Sequence, residues 1–170
     1  MDFFEVLGLP RACEVDLPQL ETQYRALQQV WHPDRKAQAD DAERAAALRH
    51  ASIVNDAYET LKSPLKRAAH LLELEGRDVS QAQQSQLDSG FLMAQMDQRD
   101  RLEEAARSRD LGVVEGLRRE ARSDFDVHWR RFILHFEAQE LDAAQRCYYE
   151  LQFLQRFAED VRAVEDRLLD

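Results

Sequence analysis

The chain has 170 residues, of which 44% are hydrophobic and 33% are charged, with only 5 glycines and 4 prolines. This composition is typical of a folded, helix-rich protein and argues against a disordered chain. The net charge of −10 argues against a nucleic-acid ligand, because a phosphate-binding surface needs clustered Lys and Arg. The start of the chain is acidic and no apolar run approaches the ~18 residues of a membrane span, so we expect a cytoplasmic protein without a membrane partner.

Short helices separated by prolines are predicted for the first part of the chain. A short helix or turn at the N-terminus ends at Gly8. Asp16 is the expected N-cap of the next helix, with Gln19 completing a capping box. Apolar residues then recur at spacings of three and four from Leu17 to Trp31. The helix should end near Trp31, because the residue after it precedes a proline and disfavours the α region.

A second helix should follow a polar loop and pack antiparallel to the first. Its start lies in the string ADDAERAAA, and its predicted apolar face consists of Ala47, Ala51, Val54, Tyr58 and Leu61. It should end at Ser63-Pro64, which can serve as the cap and first residue of a further short helix. These elements predict a small helical hairpin with a modest core.

Three long helices are predicted for the remainder, where no proline interrupts the chain. The first begins at about Asp88, the second runs from about Asp110 to Glu140, and the third from about Asp142 to Leu169. The residues expected to face inward on the second are Val114, Leu117, Ala121, Phe125, His128, Phe132 and Phe136. The predicted fold class is therefore all-α, with an N-terminal helical hairpin and an elongated C-terminal three-helix bundle. We place the hairpin unit at residues 1–75, a linker at 76–86 and the bundle at 87–170.

Motifs for catalysis, cofactors or metals are weak. Cys13 and Cys147 are far apart and belong to no Cys-x-x-Cys pair, so small buried residues are expected. The chain has no Gly-rich phosphate loop and no Gly-x-Ser-x-Gly elbow. His32 and Asp34 could form an acid–base pair in a hydrolase or isomerase, but no nucleophile or oxyanion donor is evident beside them. We expect no enzyme, no cofactor and no metal site.

The string WHPDRK, residues 31–36, lies between the two antiparallel helices of the predicted hairpin. In that setting, with Tyr24 and Leu27 before it and VNDAY at 54–58 after it, it resembles the signature of the J-domain family over about residues 1–75. The resemblance implies a partner, an ATPase chaperone of the DnaK class, whose ATP hydrolysis the protein would stimulate. It implies that this chaperone is contacted by His32, Pro33 and Asp34, with a thin basic face from Arg25, Arg35 and Lys36.

The second half of the chain narrows the family. Neither a Gly/Phe-rich linker nor a cysteine-rich zinc module follows the hairpin, and the helical part begins FLMAQMDQRDRLEEA. From end to end the chain is similar to the HscB family of iron–sulfur co-chaperones, which bring an IscU-type iron–sulfur scaffold protein to an HscA-type chaperone. The resemblance implies that the scaffold is bound by Leu92, Met93, Met96, Asp97, Asp100, Glu104 and Phe153.

Two alternatives remain open from the sequence. A stripe of Leu and Met at helical spacing is often ordinary core, although Leu102 and Ala106 could serve the core while Leu92 and Met96 face outward. A J-domain co-chaperone could also use the same bundle for a different client protein.

Overall fold

A computed structural model of the chain describes residues 1–31, 40–80 and 87–170. Those residues contain seven α-helices and no β-strand, which confirms the predicted all-α class. They divide into two compact units, Met1–Arg77 and Asp78–Asp170. Within the described ranges, no helix is long and apolar enough to cross a membrane.

The first unit contains four helices: α1 (Phe3–Val6), α2 (Leu17–Trp31), α3 (Asp41–Lys62) and α4 (Pro64–Leu74). Side-chain caps explain where they begin. Asp16 accepts a hydrogen bond from the Gln19 backbone N–H at 3.0 Å, as the capping pattern predicts. Ser63 caps α4 with Pro64 in its first turn, which is also as predicted.

The core of the first unit joins α2 to α3 and the N-terminal turn to α4. The Tyr24 and Tyr58 rings stack with centroids 4.0 Å apart, and the Tyr24 hydroxyl donates to Asn55 Oδ1 at 3.0 Å. Gly8 has φ of 64°, a left-handed conformation that ends the first turn at little steric cost. The largest fully buried side chains of this unit are Phe4, Leu7, Leu20, Leu61 and Leu72.

The second unit is a three-helix bundle of α5 (Ser89–Ser108), α6 (Leu111–Glu137) and α7 (Leu141–Leu169). All three predicted helices are confirmed, and at ~1.5 Å per residue α6 and α7 are each roughly 40 Å long. Asp88 and Asp110 cap α5 and α6 through the backbone N–H groups of Phe91 and Val113. The left-handed Arg109 and Gln139 allow the tight reversals that follow α5 and α6.

All three helices contribute to an apolar core, which lies at the C-terminal halves of α5 and α7 and the N-terminal half of α6. Its buried residues are Leu102, Ala105, Val114, Leu117, Ala121, Phe157, Val161 and Val164. Of the residues predicted to face inward on α6, Val114, Leu117, Ala121 and Phe132 are buried, whereas Phe125, His128 and Phe136 are half-buried. Phe125 and Phe136 lie at one edge of the inward stripe, where neighbouring helices cover them only in part, whereas His128 lies within the stripe.

The start of the second unit lies within the predicted linker, residues 76–86. The backbone carbonyl of Asp78 accepts a hydrogen bond from Gln145 Nε2 at 2.9 Å, and Val79 is buried. Residues 78–80 therefore belong with the bundle. Residues 81–86 lie outside the described part of the chain, so the predicted linker stays a prediction.

Candidate functional site

The outer face of α5 exposes two large apolar side chains. Met93 and Met96 are 71% and 66% exposed, whereas Leu92 is half-buried at the edge of the same face. Successive helical residues lie about 100° apart around the axis, so these three residues share one side of the helix. Single exposed apolar residues are common on protein surfaces and need no explanation. Two exposed methionines that are neighbours on one helix face are different, because their flexible side chains are well suited to binding a partner.

The predicted carboxylates lie on the same face. Asp97, Asp100 and Glu104 are all exposed. Together with Leu92, Met93 and Met96, they fall within an arc of about 140° around α5. We call these six residues the α5 face. Within the described residues, Asp97 and Asp100 form no ion pair, and Glu104 pairs with Arg107 of the same helix at 2.8 Å. Most of the carboxylate charge is therefore accessible to a partner.

The inward side of α5 is occupied by other residues. Gln95, Gln98, Leu102 and Ala105 are buried and lie roughly opposite the α5 face. Arg101 forms a bidentate ion pair with Glu120 of α6, with N–O distances of 2.8 and 3.0 Å. These hydrogen bonds hold the pKa of Glu120 below its usual value. The packing thus fixes α5 through residues that the α5 face does not include.

Phe153 is not on the α5 face, because it belongs to α7. Its half-buried ring meets Phe91 edge to face, with centroids 6.3 Å apart. Phe91 also lies 5.5 Å from the ring of His128 on α6. Since Phe91 directly precedes Leu92, the contact places Phe153 near the N-terminal end of the α5 face.

A network of buried and half-buried polar side chains joins α5, α6 and α7 near Phe91, and it was not predicted from the sequence. Gln95 Nε2 donates to Gln98 Oε1 at 3.1 Å, and Gln98 Nε2 donates to Asp124 Oδ2 at 2.9 Å. His128 Nδ1 lies 2.8 Å from the Asp124 carbonyl oxygen, and its Nε2 lies 3.3 Å from Glu150 Oε2. The available signal was the spacing of Gln95, Gln98, Leu102 and Ala105, which places them on one side of α5.

The chaperone-binding residues predicted around the His-Pro-Asp string are described only in part. His32, Pro33, Asp34, Arg35 and Lys36 lie outside the described residues. Arg25 lies on the exposed side of α2, where it pairs with Glu21 one turn earlier. Trp31, the last residue of α2, stacks on His50 of α3 with ring centroids 4.2 Å apart. This stacking holds the end of α2 against α3.

In the part of the chain that the structure describes, the cysteines and possible metal ligands do not form a reactive centre. Cys13 and Cys147 are both buried, as predicted. Burial raises the pKa of the Cys147 thiol, which favours the unreactive protonated form. Within the described ranges, no group of three or more His, Cys, Asp or Glu side chains is arranged to hold a metal ion.

Comparison with known proteins defines the class from both units. Residues 2–70 match the DnaJ domain family, so the chain is a J-domain protein. Residues 87–162 match the family described as the HSCB C-terminal oligomerisation domain. The chain is also 34% identical to the co-chaperone protein HscB of Proteus mirabilis (strain HI4320), covering 100% of this chain and 99% of that protein. The chain therefore belongs to the HscB family of co-chaperones, which is not a family of catalytic enzymes.

Solved structures agree with this assignment over nearly the whole chain. The chaperone HscB from Vibrio cholerae has 34% sequence identity and a TM-score of 0.89, and 99% of each chain is covered. Human co-chaperone HscB superposes with a TM-score of 0.90 over 96% of this chain and 81% of that chain. Its sequence identity is 24%, so this second likeness concerns the fold.

Proposed function

We propose that the protein recruits an IscU-type iron–sulfur scaffold to an HscA/DnaK-type chaperone in the cytoplasm and stimulates the ATPase of that chaperone. Cluster transfer to iron–sulfur proteins and their maturation would follow from this recruitment. The observation that carries the proposal is the α5 face, with Met93 and Met96 exposed and carboxylates beside them, in a chain of the HscB family.

The chemistry of the α5 face suits a protein partner. An apolar centre surrounded by charged residues is the usual arrangement of a transient interface. Fully burying a methionine side chain is worth about 1.5–3 kcal/mol before the costs of association, so two methionines and Leu92 are sufficient for a moderate affinity. The unbranched methionine side chains can adapt to the surface of the scaffold.

The first unit would supply the contact with the chaperone. His32, Pro33 and Asp34 are the residues we assign to it, with Arg25, Arg35 and Lys36 as its basic surroundings. Residues 17–31 contain only two charged side chains, Glu21 and Arg25, and these pair with each other. Exposed ion pairs contribute about 0–1 kcal/mol, so we expect the His-Pro-Asp string to contribute more to chaperone binding than the basic face does.

Calorimetric titration with a purified IscU-type scaffold tests the role of the α5 face. Met93→Ala/Met96→Ala should weaken binding about tenfold or more, since each truncation removes most of the ~1.5–3 kcal/mol that burying a methionine side chain contributes. Val127→Ala/Leu134→Ala is the matched control, because these α6 side chains are 50% and 67% exposed outside the α5 face. Equal weakening by both pairs would contradict the assignment. Failure of the unchanged protein to bind any scaffold would favour a different client.

A further inference from the structure

A basic groove runs along the seam between α6 and α7. Its volume is about 400 Å³, and four of its nine lining residues are arginines. This cluster of positive charge stands out because the chain as a whole is acidic, with a net charge of −10. The four arginines are Arg118, Arg119, Arg122 and Arg162. One acidic residue, Asp126, also lines the groove, which therefore remains positive.

Three of the four guanidinium groups are available to a ligand. Arg119, Arg122 and Arg162 are exposed and form no ion pair with the residues that the structure describes. Arg118 Nε lies 3.6 Å from Glu165 Oε1, which is an ion pair but is too long for a good hydrogen bond. Planar guanidinium groups bind carboxylates through paired hydrogen bonds, so the groove favours an anionic ligand of that shape.

The floor of the groove is apolar. Ala121 is buried, and Phe125 and Ala158 are half-buried. Ala121 belongs to the core of the bundle and Ala158 packs against it, so the floor is held in place by the fold. A ligand that carries only charge would leave this surface exposed to water, whereas one that also carries an apolar side chain would cover it.

The groove and the α5 face lie on opposite sides of the bundle. Glu120 and Asp160, on α6 and α7, form ion pairs with Arg101 and Arg99 of α5. Arg118 and Arg162 are each two residues away from these partners, which turns their side chains about 200° around the helix. The side chains of Arg118 and Arg162 therefore point away from α5, so the charged rim of the groove faces away from it.

We propose that the groove binds a short acidic segment of a partner protein, with an apolar side chain on the floor and carboxylates held by the arginines. Arg118 and Asp126 are eight residues apart, so the groove spans about 12 Å, the length of roughly four extended residues. A nucleic acid is disfavoured, because this length admits few phosphates and the rest of the chain is acidic. A free phosphate would leave the apolar floor uncovered.

This inference does not depend on the proposed function. Because the groove faces away from α5, the acidic segment and a protein on the α5 face can be bound together. Substitutions in the groove should therefore leave scaffold affinity unchanged, within about twofold.

Fluorescence anisotropy with the full chain tests the proposal. The probe is a fluorescein-labelled peptide, Glu-Leu-Glu-Glu-Leu-Glu. Arg122→Glu/Arg162→Glu should weaken its binding about tenfold or more, because charged hydrogen bonds are replaced by repulsion. Arg146→Glu/Arg156→Glu is the control, since it changes the net charge equally at exposed α7 positions outside the groove. The control should remain within about twofold of the unchanged protein.

Several results would overturn the proposal. Equal weakening by the groove variant and the control variant would show that the peptide is attracted only by the overall charge of the protein. Absence of peptide binding to the unchanged protein would show that the groove binds no acidic segment. Displacement of the peptide by inorganic phosphate at matched ionic strength would assign a small-anion site. Tighter binding of a single-stranded RNA hexamer than of the peptide would assign nucleic acid. Self-association in sedimentation velocity that disappears in Arg122→Glu/Arg162→Glu would assign a second copy of the chain.

Discussion

His70 is a buried histidine that joins α4 to the start of the chain. Its Nε2 accepts a hydrogen bond from the Phe3 backbone N–H at 3.1 Å, and the Phe3 ring stacks on it at 4.6 Å. Burial lowers the pKa of His70 below its ordinary value of about 6.5, although Asp2, with Oδ1 4.0 Å away, opposes the shift. The native structure therefore favours the neutral ring.

This arrangement predicts that acid weakens the first unit. Since the pKa of His70 is lower in the folded state, its contribution to stability is fully present above about pH 6.5 and is lost as the pH falls through the folded value. His70→Gln retains a hydrogen-bond acceptor without titrating, so its free energy of unfolding should change less between pH 7.5 and 5.5. Urea denaturation in a Trp129→Phe background, followed by Trp31 fluorescence, measures this. An equal pH dependence in both proteins would contradict it.

Arg67 is a buried arginine that ties α4 to the preceding segments. Its Nε donates to the Cys13 carbonyl at 2.7 Å and its Nη1 donates to the Leu61 carbonyl. Burial lowers the pKa of Arg67, but an arginine remains charged, so its backbone partners are needed to offset desolvation.

Arg67→Leu should destabilise the first unit by about 2–4 kcal/mol, because two buried carbonyl groups lose their donors. Arg49→Leu, an exchange of the same type at an exposed position of α3, is the control and should cost under about 1 kcal/mol. Urea denaturation of both variants at pH 7.5 gives the two values. Equal stability of the Arg67 variant and the unchanged protein would show that these hydrogen bonds contribute little.

At the scale of the helix, different residues of α5 serve the proposed binding surface and the core of the bundle. Met93→Ala/Met96→Ala removes exposed side chains and should change the free energy of unfolding by less than about 0.5 kcal/mol. Leu102→Ala removes a core side chain that is 6% exposed and should cost about 2–5 kcal/mol. Denaturation curves of the two variants should therefore differ clearly. A large loss of stability in the methionine pair would show that it serves the core after all.

Helix positions follow from local sequence, and this is why they were predictable. The capping residues Asp16, Ser63 and Asp110 and the apolar periodicity between them define the starts of α2, α4 and α6. The predicted end of α6 at about Glu140 was three residues late, because Gln139 adopts a left-handed conformation and the helix ends at Glu137. No glycine marks that turn in the sequence.

The buried polar contacts were not predictable from the sequence. Gln95 and Gln98 look like surface residues in isolation, but they bond to each other and Gln98 also donates to Asp124 of α6. His70 and Arg67 likewise depend on partners up to 67 positions away in the chain. Such contacts arise from tertiary packing, and the spacing of apolar residues along one helix does not reveal which polar groups other helices will supply. The roles assigned to the α5 face came from family resemblance, and they stay predictions.

At the scale of the whole molecule, each unit has its own core and its own proposed surface. The J-domain unit would act on the chaperone, and the bundle would hold the client protein. Substitutions in one surface should then leave the other intact, because each unit has its own core and the effects of independent sites are close to additive. This separation is the central claim of the proposed function.

Steady-state ATP turnover by an HscA-type chaperone, with and without an IscU-type scaffold, tests that claim most directly. His32→Gln should abolish stimulation under both conditions while calorimetry still detects scaffold binding. Met93→Ala/Met96→Ala should stimulate normally without scaffold but lose most of the additional stimulation that the scaffold provides. The contradictory result is equal loss of stimulation in the absence of scaffold by both variants, with circular dichroism showing that each remains folded.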